Sequence, residues 1–247
     1  MTRRPLFPAL ACSLLVFSVG LSAQTDFEQA CEDLASAKRP DSERLHALFK
    51  LDWENTMRES PEFATDVGYP GLNDRWSDLS LEAIERHKRE LQGPLKVIRS
   101  IDRAKLDATD QLNYVLFKRN VELAIDSTRF KGEYLQLTQL NGVQQDPARV
   151  LKMSPHRQVK DYDDMIARLN ALPKLIDQTI ALLQKGLDTG VTPPRITLRD
   201  VPQQVKNQMV TGEKSAFLKP FENFPAEIPQ AERERLTRDA AAALKGK

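Results

Sequence analysis

Residues 41–60, DSERLHALFKLDWENTMRES, carry the pattern that decides the fold class. Four large apolar side chains occupy positions that are each three or four residues from another of the four along this segment: Leu45, Leu48, Phe49 and Trp53. Such spacing places them on one face of an α-helix. Pro61 follows the segment directly, where a proline is typical of a helix end. Helical spacing recurs along most of the chain, so the sequence predicts an all-α protein.

Polar caps and helix-breaking residues predict where other helices begin and end. Ser80 and Asp107 each precede an apolar stripe, and short polar side chains accept hydrogen bonds from the first free amides of a helix. The pair Gly93-Pro94 interrupts the stripe after Ser80, which predicts a kink or two short helices. Gly190 is suited to end the long helical segment before it, because glycine adopts the left-handed conformation found at helix C-termini.

Three further segments carry specific expectations. Residues 106–126, LDATDQLNYVLFKRNVELAID, have apolar side chains on two faces, which predicts a central helix. Residues 195–201, RITLRDV, are the one β-like stretch. From Pro229 the chain begins a helix whose stripe is mostly alanine, and such a helix is marginal without packing. We therefore expect a protease to remove residues from about Gly212 onward first.

The first 23 residues have the layout of a secretory signal peptide. Arg3 and Arg4 precede an apolar-rich run over residues 10–21, and small residues follow it. The run is shorter than the roughly 20 residues that span a bilayer, and cleavage is expected after Ala23. An uncleaved anchor and a lipoprotein attached through Cys12 are the alternatives. The expected location is therefore the periplasm or the exterior, with no membrane attachment after cleavage.

Charge and cysteine content exclude several classes of protein. Removal of residues 1–23 takes away two of the 36 basic side chains and none of the 35 acidic ones, so the remaining chain is nearly neutral. No surface for nucleic acid is expected. Cys31 is then the single cysteine, so no internal disulfide is possible. Residues 24–40 form an N-terminal segment before the helical region, which we predict to span residues 41–247.

The sequence contains no recognisable catalytic or metal-binding motif. Its three His residues, His46, His87 and His156, lie far apart along the chain. A zinc site needs three or four convergent ligands, so a surface or capping role is favoured for each of them. Neither a Gly-x-Ser-x-Gly nucleophile motif nor a Gly-rich phosphate loop occurs. We therefore predict no catalytic residue and no metal ligand.

Several stretches nevertheless have a distinctive character: RESPEFATDVGYPGLNDRWSDLS, LQLTQLNGVQQD, LIDQTIALLQKGLDTGVTPPRITLRDVPQQV, DRAKLDATDQLNYVLFKRNVE and FLKPFENFPAEIPQAERERL. Taken together, they resemble the bacterial DUF885 family over about residues 41–245. The resemblance implies a mostly helical fold around a deep cleft and the activity of a zinc-dependent peptidase.

The zinc site that the resemblance implies is absent from this sequence. In the family it lies on a His-Glu-x-x-x-x-His-like element with a further acidic ligand, in the C-terminal half of a chain more than twice as long. None of the three His residues here matches that element. The resemblance therefore implies the N-terminal part of a larger cleft-containing fold, an irregular array of helices with long ordered loops. Zinc is expected in the missing half alone.

Three irregular loops are expected to line such a cleft: GYPGLNDRW, QLNGVQ and TPPR. The candidate substrate-cleft residues in them are Tyr69, Asn73, Asp74, Asn141 and Arg195. Arg195 follows two prolines, and a stiff loop that presents a guanidinium is suited to bind a carboxylate through two hydrogen bonds. Alternatively the loops are structural, with Trp76 and Tyr69 at a core edge and Asn73 and Asp74 bonded within turns.

Functions from different classes stay open at this point. The chain is expected to form the substrate-cleft half of a metal-dependent peptidase, inactive alone, with a peptide-like substrate or a complementary C-terminal half as partner. Alternatively it is a stand-alone periplasmic binding or interaction module, or an enzyme with an unrecognised acid/base pair. The first function also predicts an exposed apolar patch where the other half docks, with Phe217, Phe221 and Phe224 as members.

Overall fold

The computed structural model describes residues 24–209 and 215–244. Within these residues the chain forms ten α-helices and no strand, which confirms the predicted all-α class. The helices are α1 (Asp26–Ser36), α2 (Asp41–Glu59), α3 (Pro61–Asp66), α4 (Leu81–Glu90), α5 (Gln92–Arg99), α6 (Ala108–Ser127), α7 (Asp146–Met153), α8 (Val159–Thr189), α9 (Val201–Gln208) and α10 (Gln230–Leu244). None of these helices combines the length and the apolarity needed to cross a membrane. The predicted signal peptide and Gly212 lie outside the described residues.

Local sequence signals set several helix ends as predicted. The Ser80 hydroxyl accepts a hydrogen bond at 3.2 Å from the amide three residues later and caps α4. The Asp107 carboxylate accepts the equivalent bond at 2.8 Å and caps α6. Gly190 ends α8 with a φ of 73°, a conformation that glycine adopts without strain. The stripe around Gly93-Pro94 is divided into two short helices, α4 and α5.

The apolar faces of the helices meet in two clusters. The first lies between α7, α8, α10 and the 3₁₀ helix Ala216–Phe221, and the second lies between α1, α2, α5 and α6. Helix α1 belongs to the N-terminal segment and buries Phe27 and Cys31 in the second cluster. Burial of one large aliphatic side chain contributes about 1.5–3 kcal/mol, so these clusters hold in place the helices that carry the loops.

The terminal helix is well packed, which corrects one expectation. Leu236 and Ala240 of α10 are fully buried, and the helix lies against α8. Phe217 and Phe221 are also buried, and Phe224 packs on an aromatic ring of α8 with the ring centroids 4.7 Å apart. The predicted apolar patch at these three Phe residues is therefore wrong. The small alanine side chains suit close packing against α8, where interior density is high.

Helix α6 is not central, contrary to the prediction from its two apolar faces. The face with Phe117 and Val121 packs on the second cluster. The other face is exposed and carries four aliphatic side chains: Leu112, Val115, Leu116 and Leu123. A second exposed aliphatic stripe lies on α8: Ile176, Ile180 and Leu187. Burial requires a second element facing the stripe, and periodicity within one helix does not report whether that element exists.

Residues 195–198 form a turn of 3₁₀ helix, which corrects the β-like interpretation of this segment. The Thr197 amide donates to the Pro194 carbonyl at 2.9 Å, and the Thr197 hydroxyl donates to the same oxygen at 2.8 Å. Backbone groups of a strand need a partner strand, and none exists in the part of the chain that the structure describes. The backbone therefore forms its hydrogen bond within the turn.

Candidate functional site

The loop between α3 and α4, residues 67–80, is held by one arginine. Arg168 lies on α8 and is completely buried. Its guanidinium donates five hydrogen bonds of 2.8–3.3 Å to three carbonyl oxygens and two hydroxyls: those of Pro61, Leu72, Arg75, Thr65 and Ser154. Nη2 contacts three of these oxygens with its two hydrogens, so one hydrogen is shared, whereas Nε and Nη1 contact one oxygen each. The bonds fix the loop, the start of α3 and the end of α7 to α8.

Trp76 completes this contact from the loop side. Its indole N–H donates to the Arg168 carbonyl at 2.8 Å, and the Arg168 guanidinium carbon lies 5.1 Å from the centroid of its ring. Trp76 also packs against the first apolar cluster. Nearby, the Glu62 carboxylate of α3 accepts hydrogen bonds from the amide and the hydroxyl of Ser77. The loop is thus ordered by its contacts with α3 and α8.

Burial also changes the electrostatics of Arg168. Loss of solvent lowers the pKa of its guanidinium from 12.5 to about 10. The negative charges of Glu62, Asp74 and Asp164 act in the opposite direction, because they favour the cation. Arg168 therefore stays charged at neutral pH, and the polar oxygens of the loop solvate that charge in place of water.

The second loop, residues 135–146, is shaped around Gly142. This glycine has a φ of 127°, and its amide donates to the Asp146 carboxylate at 2.8 Å. A Cβ atom at this position would lie 2.9 Å from the Gln136 carbonyl oxygen and closer still to two side chains. Both the backbone conformation and the close approach therefore require glycine here.

A cavity of about 430 Å³ lies between the two loops, α7 and α8. Small-molecule sites typically have volumes of about 300–1,000 Å³. The polar part of the lining includes two carboxylates, one guanidinium and two amides: Glu62, Asp146, Arg149, Gln136 and Asn141. The apolar part includes five large side chains: Trp76, Leu79, Leu135, Met153 and Leu175. Within the described residues the lining contains neither His nor Cys.

Two of the five candidate cleft residues belong to the second loop and the turn beside it. Asn141 lines the cavity. Arg195 is exposed at the start of the 3₁₀ turn and is not among the lining residues. The two segments are adjacent, because the Gln139 amide donates to the Thr197 carbonyl at 2.7 Å. The structure therefore brings Arg195 to the neighbourhood of the second loop but not into the cavity.

The other three candidates lie in the first loop and outside the cavity lining. The Asn73 side-chain oxygen accepts a hydrogen bond from the Thr65 hydroxyl at 2.8 Å. Asp74 pairs with the adjacent Arg75 at 2.7 Å, and this guanidinium lowers the pKa of the Asp74 carboxyl. Tyr69 is half-buried, and its amide closes the end of α3. These contacts agree with the alternative in which polar loop residues bond locally.

The zinc centre that the resemblance implies does not fit the residues around this cavity, which offer carboxylates but no imidazole. His46 is exposed and pairs with Asp110 at 2.9 Å. His156 contacts the Ser154 carbonyl at 3.0 Å. His87 lies in the last turn of α4 and is also not a lining residue. The donor set of the cavity is therefore suited to binding a polar ligand.

Arg168 organises the site but was missed by the sequence-based prediction. It stands between Met165 and Leu169 on the apolar stripe of α8. Arginine is almost never fully buried unless its polar atoms are paired. An arginine on the apolar face of a long helix therefore indicates a buried guanidinium that must bond to polar groups of a neighbouring segment.

Comparison with known proteins identifies the family. No curated protein matches the chain. A family model described as "Bacterial protein of unknown function (DUF885)" matches residues 61–247, which is more than half of the chain. The matched region contains α3 to α10, both loops and the whole cavity lining. The chain therefore belongs to the DUF885 family.

Proposed function

We propose that this chain forms the substrate-binding region of a DUF885 hydrolase and binds a peptide-like ligand in the cavity beside Asn141. The observation that carries the proposal is the cavity itself, about 430 Å³ in volume and walled by two ordered loops. Binding residues concentrate on loops that a rigid scaffold positions. Here the buried Arg168 supplies that rigidity, because it ties the first loop to α8.

The lining has the chemistry that an extended peptide requires. Asn141 and Gln136 offer amide groups that pair with a peptide backbone. Glu62 offers a carboxylate to a terminal ammonium or a basic side chain. Arg149 pairs with Asp146 at 2.5 Å, and its exposed guanidinium has further donors for a ligand carboxylate. The apolar part of the lining is suited to an aliphatic or aromatic side chain. A short peptide that carries both charges would therefore use most of the lining.

The proposal assigns ligand binding and cleft shape to this chain, and not bond cleavage. The sequence contains no His-Glu-x-x-x-x-His element, and the lining offers no imidazole within the described residues. A catalytic zinc takes three protein ligands and a water. The proposal therefore assigns that zinc to a complementary segment, and the chain alone should hydrolyse no peptide. Chelator-sensitive peptidase activity of the purified chain would contradict this assignment.

Export to the periplasm or the exterior is part of the same proposal. The basic and apolar pattern of residues 1–23 supports it. Cell fractionation with N-terminal sequencing should find a mature protein that begins near Gln24. Full-length protein in the cytoplasmic fraction would contradict export.

A stand-alone binding or interaction module is the second candidate function. The exposed aliphatic stripes of α6 and α8 favour it, because large exposed apolar surfaces mark partner sites. The same stripes would serve a complementary half of the hydrolase. Co-purification with a zinc-dependent peptidase activity would support the hydrolase, whereas co-purification with a partner that has no such activity would support the module.

Two matched arginine variants test the role of the cavity. Binding of short peptides with one acidic side chain is measured by calorimetry. Arg149→Ala removes a guanidinium from the lining and should weaken binding about tenfold, which is about 1.4 kcal/mol. Arg195→Ala removes a similarly exposed guanidinium outside the cavity and should leave the affinity unchanged. The reverse pattern would support the sequence-based prediction for Arg195 and contradict the assignment of the cavity.

A further inference from the structure

We propose that Glu59, His87 and Glu90 bind a divalent transition-metal ion that joins the end of α2 to the end of α4. One ring nitrogen of His87 and one carboxylate oxygen of each glutamate all lie within 4.8 Å of one another. None of the three lines the cavity, so the site does not depend on the proposed peptide binding. It replaces the sequence-based expectation that the chain holds no metal ligand.

Helix geometry brings the three ligands together. Glu59 is the last residue of α2, and Glu90 is the last residue of α4. His87 precedes Glu90 by three positions, and side chains at this spacing share one helix face. The C-terminal end of a helix carries a partial negative charge. Helices α3 and α5 begin within two residues of these glutamates, so the opposite partial charge of their N-termini offsets this effect. The two carboxylates themselves carry the negative charge that favours a cation.

Glu90 is independent evidence for a ligand at this position. Its side chain is 5% exposed, and its Oε2 atom has no hydrogen-bond partner among the described residues. Arg86 does not satisfy it: the Arg86 Nε lies 3.6 Å from the other oxygen, and a terminal nitrogen bonds to Glu59 at 2.5 Å. A buried carboxylate oxygen without a donor is unfavourable, and buried charges are normally paired or coordinate metals.

The charge around the three ligands is also unbalanced. Glu59 and Glu90 both pair with Arg86, so two carboxylates share the charge of this guanidinium. A bound dication would offset this excess of negative charge, since an ion is often the largest local charge in such a site.

The donor set favours a zinc-like ion. One imidazole and two carboxylates provide three protein ligands, the number found in zinc sites that keep a water. Tetrahedral bonds of about 2.0–2.2 Å would set the ligand atoms about 3.4 Å apart, so the side chains must close by up to about 1.4 Å. His87 is exposed and Glu59 is half-buried, so both have room to rotate toward Glu90. Mg²⁺ prefers oxygen ligands and octahedral geometry and should bind more weakly.

Equilibrium dialysis of the metal-stripped chain against Zn²⁺ alone tests the proposal. We expect one zinc per chain, which excess Mg²⁺ does not displace. His87→Gln and Glu59→Gln alter exposed or half-buried side chains, so the fold should be retained. Each should weaken zinc binding by about 100-fold. Loss of a residue that only supports a metal ligand weakens binding by about 10- to 100-fold, and loss of a ligand should have at least the larger effect. Zinc should raise the melting temperature of the unaltered chain and not that of His87→Gln.

His46→Gln is the matched control, because His46 is also an exposed helical histidine but pairs with the one carboxylate of Asp110. It should leave zinc affinity unchanged. With Co²⁺ in place of zinc, the absorption spectrum should show nitrogen and oxygen ligands. The absence of a thiolate band would show that Cys31 is not a ligand. Absence of stoichiometric zinc, binding that survives His87→Gln, or equal loss in His46→Gln would overturn the proposal. Peptide binding in the cavity should be the same in all these variants.

Discussion

Replacement of Arg168 by methionine tests what orders the first loop. Arg168→Met keeps an unbranched side chain in the space but removes five hydrogen bonds. Each bond contributes about 0.5–1.5 kcal/mol, and a buried acceptor without a donor costs about 1–3 kcal/mol. Part of the loss is offset, because the variant has no buried cation to desolvate. We expect the free energy of unfolding to fall by about 3–5 kcal/mol.

Urea denaturation followed by circular dichroism measures this loss, and limited proteolysis within residues 67–80 reports the order of the loop. Arg168→Lys retains the charge but has three donors in place of a rigid fork, so it should lose about 2 kcal/mol. Arg199→Met is the control, because Arg199 is exposed and bonds to its neighbour Asp200. It should leave the free energy of unfolding unchanged. The reasoning is refuted if the free energy of unfolding of Arg168→Met lies within about 1 kcal/mol of that of the unaltered chain and residues 67–80 stay resistant to the protease.

Three further changes test other parts of the structure. Gly142→Ala places a Cβ against a backbone carbonyl at a φ of 127°. In thermal melts it should lower the stability by about 2 kcal/mol, and it should also weaken peptide binding. Gly132→Ala is the control, because a Cβ there meets nothing within 4 Å, and it should have little effect in the same melts. Leu236→Ala should cost about 3 kcal/mol in urea denaturation, and Leu187→Ala, 64% exposed in the native helix, should cost little; equal losses would contradict the packing of α10. Burial and nearby carboxylates raise the pKa of the Cys31 thiol from 9.0 to about 12, so its contribution to stability is present below the unfolded pKa and is lost as pH rises from about 9 toward 12. Alkylation of folded protein at about pH 8 should therefore be far slower than alkylation of denatured protein, and equal rates would show that the thiol is accessible and ionised.

The role of the five candidate cleft residues stays a prediction, and the structure shows where they lie. The loops that contain Trp76 and Asn141 were expected to line a cleft, and both residues line the cavity. Arg195 was expected beside them, but it is exposed at the start of the 3₁₀ turn and does not line the cavity. Residues 195–198 have β propensity, yet propensity acts only where a partner strand is available.

The sequence by itself determined several helix ends. Ser80 and Asp107 cap α4 and α6 through bonds to amides three residues away, and Gly190 ends α8 by its own backbone conformation. Pro61 begins α3 directly after α2 ends. All of these effects act between close neighbours in the chain. Periodicity and cap residues therefore sufficed to predict the all-α class, and the distinctive loop sequences sufficed to indicate the family.

Tertiary structure alone decided which apolar faces are covered and which polar groups meet. Leu112 is exposed and Phe217 is buried, although both are large and apolar. Arg168 bonds to carbonyl groups 93 to 107 residues away, and His87 meets Glu59 from another helix. Such contacts depend on the distance between elements that are remote in the sequence. The spacing of residues within one helix describes the face of that helix and carries no information about what lies opposite.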